Sequence, residues 1–472
     1  MTPDEFRKHA HELVEWMAGY MENVEEYPVK SSVKPGEIFS KLPDQPPLKS
    51  ESFELFLTDF EKIIMPGITH WQSPNFFAYF PANTSPPSIL AEMLTATLAA
   101  QCMIWETSPA AAELEQKVMN WLRDLIGLPS TFEGVIHDTA STATLTAIIT
   151  AREKVTGFRI NDEGFTSSKV LRVYCSEQTH SSVDKAVKIA GIGKKNLVKI
   201  GVKDDFSINP ELLEKAVRED LNNNLVPCCI VATIGTTGTT AIDQIKPVGE
   251  ICARYGIWLH VDAALAGSAL ILPEFQWMLE GREYIDSFVF NPHKWMFTNF
   301  DCTAYFVKDA GALIRTFEIL PEYLKTRTRG KVNDYRDWGI QLGRRFRALK
   351  LWCVIRMYGV DGLQDKIRDH IKIAAQLAEM ISADKDFEIM APFKLNTVCF
   401  RYKPGGIRSD EINAVNEKLN HILNDTGKLY LTHTTLNGQY VLRMVTAQTN
   451  VTPEHVIKAW ELIRITARKI RI

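Results

Sequence analysis

Apolar residues recur at helical spacing near the start of the chain, where Phe6, Leu13, Val14, Met17, Tyr20 and Met21 form one stripe that runs to about Glu25. Thr2 suits an N-cap, Pro3 the first helical position, and Glu5 completes a capping box, so a helix starts here. Pro28, Pro35, Pro43, Pro46 and Pro47 follow, which predicts an extended connector over 28–50. A helix on such an arm can fold back on its own domain or lie across a second subunit. The second arrangement is the expectation.

From Gly134 to about Lys308 the pattern alternates apolar β-rich runs with helical ones. A helix is predicted over Ser141–Lys154 and strands over Val170–Cys175, Asn196–Val202, Cys228–Ile234, Ile257–Val261, Ser287–Phe290 and Thr303–Val307. Several runs are too apolar for a half-exposed strand, which predicts an α/β fold with a mostly parallel sheet covered by helices on both faces. After a helix over Arg344–Met357 the order becomes helix, short strands, helix, strand, helix: Leu363–Ile381, Phe387–Met390, Thr397–Tyr402, Asp410–Leu423, Tyr440–Met444 and Pro453–Ile470. That suits a smaller α+β domain. The expected organisation is an N-terminal helical arm and linker over 1–85, a large α/β domain over 86–358 and a small C-terminal α+β domain over 359–472.

Composition narrows the function classes. The 472 residues are 45% hydrophobic and 24% charged, the balance of a folded globular chain, and the formal net charge is -3. Without a basic surplus, nucleic acid is not an expected partner. The apolar runs are far shorter than the roughly 20 residues that span a bilayer, so no membrane partner is expected. The first residues carry charges where a secretory signal needs an apolar core. Eight cysteines without a Cys-x-x-Cys pair sit mostly in apolar runs and read as reduced core residues of a cytoplasmic protein.

Four segments carry chemistry. In Asn291-Pro292-His293-Lys294-Trp295 an apolar strand runs into a lysine; such a residue is usually a solvated end-cap, but here the apolar neighbours Trp295, Met296 and Phe297 would favour a neutral, nucleophilic amine. Gly256 to Ala264 is a buried strand ending in Asp262, at the edge where open α/β sheets bind ligands. A buried carboxylate bonded to nearby amides is the plain reading of Asp262. A metal site with His260, on the same strand face, lacks an obvious third ligand, so no metal is expected. Asp138 to Ala143 supplies amides and hydroxyls at a helix start, which suits a phosphate, and Gly235 to Thr240 follows another strand in the same way; Ser and Thr cap most helices, so each is weak alone. His180, after the strand ending near Ser176, falls at the same sheet edge, although an isolated histidine is usually structural.

In this order the four segments resemble the group II pyridoxal-phosphate decarboxylases, most closely the aromatic L-amino-acid decarboxylases. The resemblance spans essentially the whole chain. It includes His70–Pro81, Ser108-Pro109 through Glu115, Asn291–Trp295, Leu320–Lys325 and Leu342–Arg347. It implies a fold-type I enzyme using pyridoxal 5'-phosphate, with Lys294 as the lysine that carries the cofactor covalently, Asp262 as partner of the ring nitrogen and His180 stacked on the ring. Thr139, Ala140, Ser141, Asn291 and His293 are similar to phosphate ligands, with Ala264 beneath the ring and Thr237 near its hydroxyl. Trp71, Tyr79, Phe80 and Pro81 resemble a substrate side-chain pocket that the family completes across a homodimer interface with residues around Gln101 and Met103. Tyr323 matches a tyrosine on a mobile catalytic loop, where it would donate a proton to the substrate Cα.

Three positions depart from the pattern: Leu265 replaces a usual tyrosine, Gln101 stands where an apolar residue is common, and Thr139 replaces a serine. Gly343 is similar to enzymes for catechol or indole substrates, whereas relatives acting on histidine or simple phenols often carry serine there. The implied reaction is decarboxylation of DOPA, tryptophan or 5-hydroxytryptophan, with tyrosine and phenylalanine as further candidates. An aldehyde synthase of the same fold is the rival, set back by the presence of both His180 and Tyr323. A non-catalytic phosphate-ligand binder would leave Lys294 unexplained.

Overall fold

The computed structural model describes residues 1–166, 169–319 and 331–470. Two compact units emerge. One comprises 82–372 with 391–397, the other 1–81 with 373–390 and 398–472.

The larger unit is built on seven strands: β1 (Glu133–His137), β2 (Leu171–Ser176), β3 (Leu197–Ile200), β4 (Val226–Thr233), β5 (Trp258–Asp262), β6 (Ser287–Phe290) and β7 (Thr303–Val307). Their order is β1-β7-β6-β5-β4-β2-β3. Pairings from β6 through β3 are parallel, while β7 runs antiparallel to both β6 and β1. Because β7 is reversed between them, β1 points the same way as β6, so β1, β2, β4, β5 and β6 all end at one edge. The central strands are buried along their whole length, as fits a parallel sheet covered on both sides. The helix Ala140–Val155 packs against β4 and β5, with Ala143, Ala147, Ile148 and Ala151 among its buried residues. Small side chains on this face let a helix approach a flat sheet closely.

The second unit holds a four-stranded sheet of β8 (Phe387–Ile389), β9 (Thr397–Tyr402), β10 (Thr432–Leu436) and β11 (Gln439–Val445), in the order β10-β11-β9-β8. The helices Ile412–Asp425 and Pro453–Lys469 pack together, and Trp460 lies edge-on to Phe387 at 4.8 Å. The first helix, Pro3–Glu22, has the capping box read from the sequence: Thr2 Oγ1 accepts from Glu5 N–H, and the Glu5 carboxylate accepts from Thr2 N–H. Within its unit it meets the segment 53–64 through Lys8–Glu54 (3.1 Å) and a T-shaped contact of Trp16 with Phe60. None of its residues is fully buried, and Phe6 remains 61% exposed.

Candidate active site

Five strand ends at one sheet edge deliver the residues singled out in the larger unit. After β1 come Thr139, Ala140 and Ser141 at the start of a 16-residue helix, where Thr139 Oγ1 accepts from Thr142 N–H at 3.3 Å. After β2 comes His180, after β4 the loop with Thr237, at the end of β5 Asp262 and Ala264, and after β6 Asn291, His293 and Lys294. The parallel register makes this convergence automatic, because each strand must turn at the same edge.

Lys294, His180 and Asp262 lie close enough to act on one another electrostatically. Burial holds the Lys294 ammonium below its ordinary range, and the Asp262 carboxylate opposes that shift in part. Asp262, buried at the end of β5, is pushed up by desolvation; Lys294, the Ala264 N–H (3.0 Å) and His180 pull it back. A buried carboxylate of this kind calls for a cationic partner. His180 is lowered by desolvation and by Lys294, and its Nδ1 accepts from Ser182 N–H at 3.2 Å, which leaves Nε2 to carry the proton of the neutral ring.

The turn that carries the lysine is tied down on several sides. Asn291 N–H donates to the Ala264 carbonyl at 3.0 Å, and Thr303 Oγ1 lies 2.8 Å from Asn291 Oδ1 and 3.0 Å from the Asp138 carbonyl. Cys302 N–H donates to His293 Nδ1 at 2.9 Å, and burial lowers that imidazole to about 3. His260 is committed to the core, its ring nitrogens 2.9 Å from Ser287 Oγ and 3.3 Å from Thr144 Oγ1.

Several residues escaped the sequence reading. Asn83 N–H donates to the His293 carbonyl at 2.9 Å, and its Nδ2 donates to the Lys294 carbonyl at 2.5 Å, which pins the lysine's backbone. Cys302, just before the reversed strand β7, holds His293, and Thr303, its first residue, holds Asn291. Asn83 sits in a polar stretch with no motif, so composition offered no signal; Thr303 could have been suspected as a polar residue opening an apolar strand.

Of the remaining candidates, Gln101, Met103 and Gly343 belong to this unit. Gln101 Oε1 accepts from Arg344 N–H at 2.7 Å beside Gly343, and the Met103 carbonyl accepts from Arg336 N–H. Trp71, Tyr79, Phe80 and Pro81 belong to the second unit, where Trp71 stacks on Tyr79 at 5.7 Å and Arg443 lies over the Phe80 ring. Tyr323 lies outside the described residues.

An amine whose charged form burial disfavours, a buried carboxylate in need of a cation, an imidazole and a hydroxylated helix start together suit a phosphorylated carbonyl cofactor with a basic ring nitrogen. The comparisons agree. Residues 35–403 match the family described as the pyridoxal-dependent decarboxylase conserved domain. Tyrosine decarboxylase 4 of Petroselinum crispum is 42% identical over 98% of this chain and 93% of its own length. Phenylacetaldehyde synthase of Petunia hybrida is 43% identical over 98% and 94%. The crystal structure of Oryza sativa TDC with PLP and tryptamine matches with a TM-score of 0.97 at 36% identity, covering 99% of each chain. The chain is therefore a member of the pyridoxal-dependent decarboxylase family, an enzyme whose cofactor is pyridoxal 5'-phosphate.

Proposed function

We propose that this enzyme releases carbon dioxide from aromatic L-amino acids to give the aryl amine, with DOPA, tryptophan and 5-hydroxytryptophan ahead of tyrosine and phenylalanine. The observation that carries the reading is the half-buried Lys294, delivered by the turn after β6 to the sheet edge where Asp262 and His180 also stand. When bound, pyridoxal phosphate supplies a carbonyl carbon for an amine and a ring that accepts the electrons left when carbon dioxide departs. Lys294, whose charged form burial disfavours, would be the amine that holds that carbonyl. Asp262 keeps a proton on the ring nitrogen, since ion pairing relieves its own desolvation. His180 covers the ring face. Thr139, Ala140 and Ser141 at the helix start, with Asn291 and His293, hold the phosphate; Ala264 and Thr237 bound the ring.

The substrate side chain is assigned to Trp71, Tyr79, Phe80 and Pro81, with Gln101, Met103 and Gly343 reaching the site from a second copy. A homodimer with shared sites is supported by apolar side chains that each unit leaves open: Phe6 on the first helix, and Leu90, Leu94 and Leu98, 57–62% exposed, on the helix Pro86–Leu98. A cytoplasmic location is supported by eight free cysteines. Among the described residues no helix is long and apolar enough to cross a membrane.

Aldehyde synthesis is the second reading, favoured by the similarity to a phenylacetaldehyde synthase. In that reaction oxygen is consumed and aldehyde, ammonia and peroxide accompany carbon dioxide. A panel of aromatic L-amino acids, with amine, aldehyde, peroxide and carbon dioxide all measured under air, separates the two. Amine equal to carbon dioxide supports the proposal; aldehyde and peroxide equal to carbon dioxide overturn it. With Tyr323 as proton donor to Cα, Tyr323→Phe moves product from amine toward aldehyde while carbon dioxide release persists.

A further inference from the structure

Asp243 has no place in the chemistry described above, yet it is completely buried and both of its oxygens are used. Its Oδ1 accepts from Ile208 N–H at 2.6 Å and its Oδ2 from Thr233 N–H at 2.7 Å, while its own N–H donates to the Thr233 carbonyl at 2.9 Å. Thr233 and Asp243 thus close a ring at the base of a loop. Above that ring Ile234 bridges Ile242, Gly235 N–H and Thr236 N–H both donate to the Ala241 carbonyl, and Thr237 stands exposed beyond them. Gly235 has a φ of 85°, and a Cβ there would come within 2.7 Å of the Ala266 Cβ, so the loop has little freedom to shift sideways.

The same base touches the other functional strand ends. Thr233 is in register with Asp262, Ile234 N–H donates to the Asp262 carbonyl at 2.9 Å, and Thr233 Oγ1 lies 3.5 Å from the hydroxyl of Thr179, the neighbour of His180. One carboxylate therefore anchors the point from which the Thr237 loop, Asp262 and the His180 turn diverge. We infer that Asp243 is a positioning residue for the cofactor: it sets the spacing of Thr237, Asp262 and His180 without contacting the ring itself. The inference rests on the proposed roles of those three residues.

The buried carboxylate lies against open space that its removal would extend inward. It lines a cavity of about 320 Å³ with Asp205, Lys246, Trp277 and Lys394, which offers a small carboxylate a way in. That permits a chemical rescue. In Asp243→Ala the two amides lose their acceptor, and a residue that supports a ligand set from behind typically changes affinity by about 10- to 100-fold. We expect the apoenzyme of Asp243→Ala to bind pyridoxal phosphate about 10- to 100-fold more weakly than the parent, with an altered circular-dichroism band of the bound cofactor. Formate should restore both toward parental values. Asp205→Ala is the control: it frees Ser207 N–H and Oγ in the neighbouring turn but leaves the base of the loop intact. It should lower the thermal midpoint with cofactor affinity unchanged.

A folded Asp243→Ala protein with parental affinity and an unaltered band overturns the inference. So does an affinity loss that Asp205→Ala reproduces at the same fall in thermal midpoint. If the alanine variant does not fold, amide exchange in the parent decides: the inference requires slower exchange at Thr233 and Ile208 in the holoenzyme than in the apoenzyme, and equal rates overturn it. Intact Lys294→Ala, Asp262→Ala and His180→Ala affinities would instead sink the site assignment, independently of Asp243.

Discussion

Cys302 N–H points at His293 Nδ1, 2.9 Å away, and so decides where the imidazole keeps its proton. A nitrogen that accepts an amide hydrogen bond cannot carry a proton of its own, so the neutral ring bears its hydrogen on Nε2. With burial lowering the ring to about 3, His293 stays a neutral donor over the whole physiological range.

That relationship makes a prediction about cofactor retention. If Nε2–H holds the phosphate, His293→Leu weakens pyridoxal-phosphate binding by about tenfold or more, the loss of one hydrogen bond to a charged group. His293→Gln, which can still present an N–H, should keep most of the affinity. The parental binding constant should show no step from His293 between pH 8 and 5. Titration of the apoenzymes by cofactor absorbance checks all three, and equal binding by the leucine variant removes His293 from the ligand set.

Lys294→Ala is expected to abolish turnover while leaving the fold and some cofactor binding intact. The proposed phosphate and Asp262 contacts would not depend on the covalent link, and Asn83 holds the backbone of the turn through carbonyls that any residue provides. The check is turnover together with borohydride reduction followed by mass analysis, which should add mass at Lys294 in the parent alone. Turnover within an order of magnitude of the parent refutes the assignment.

The site was more legible in the sequence than its supports. Asp262 ends one buried apolar strand and Lys294 follows another by four residues, and polar residues there are visible without coordinates; the expected strands Ser287–Phe290 and Thr303–Val307 match β6 and β7 residue for residue. β1 was missed because Gly134 interrupts a five-residue run, and the space of its missing side chain is taken by Met119 and Phe306. β10, with Thr432, His433, Thr434 and Thr435, alternates exposed with half-buried positions at a sheet edge and carries almost no apolar signal. Asp243 was invisible for another reason: its role depends on two backbone amides, and backbone donors leave no mark on residue type.

Buried histidines set the acid limit of stability. His260 is fully buried with its proton affinity lowered from 6.5 to about 3, chiefly by desolvation. As pH falls below 6.5 the unfolded chain takes up a proton that the folded one refuses, so folding loses free energy, on the order of 3 kcal/mol by pH 4 from this group. His137, lowered to about 4, and His293 act with the same sign. His260→Gln should cost about 1 kcal/mol near pH 8 through its poorer bonds to Ser287 and Thr144. Its unfolding free energy should then fall less steeply with acid, by one proton. Urea unfolding from pH 8 to pH 4.5 tests this, and parallel curves for parent and variant would show that His260 does not titrate as described.

Ring size should be decided by two residues acting together. A Cβ on Gly343 would meet Gln101 Nε2 at 3.2 Å, and Gln101 cannot swing away freely because its Oε1 accepts from Arg344 N–H. The Cys102 N–H bond to the Arg344 carbonyl, 3.0 Å, holds the two segments in the same alignment. Gly343→Ser must therefore either displace the Gln101 amide at the cost of that bond or push into the space assigned to the substrate ring. Under either outcome tryptophan should lose more than tyrosine, with discrimination changing by about 1–3 kcal/mol in kcat/KM. Gln101→Ala removes the obstacle, so the added serine can occupy the vacated space and the double variant should recover tryptophan turnover lost by Gly343→Ser. The coupling between the two substitutions should be about 0.5–3 kcal/mol, the range for side chains in contact. Strict additivity across the cycle for both substrates would mean that Gln101 and Gly343 act on the substrate separately, or that neither faces it.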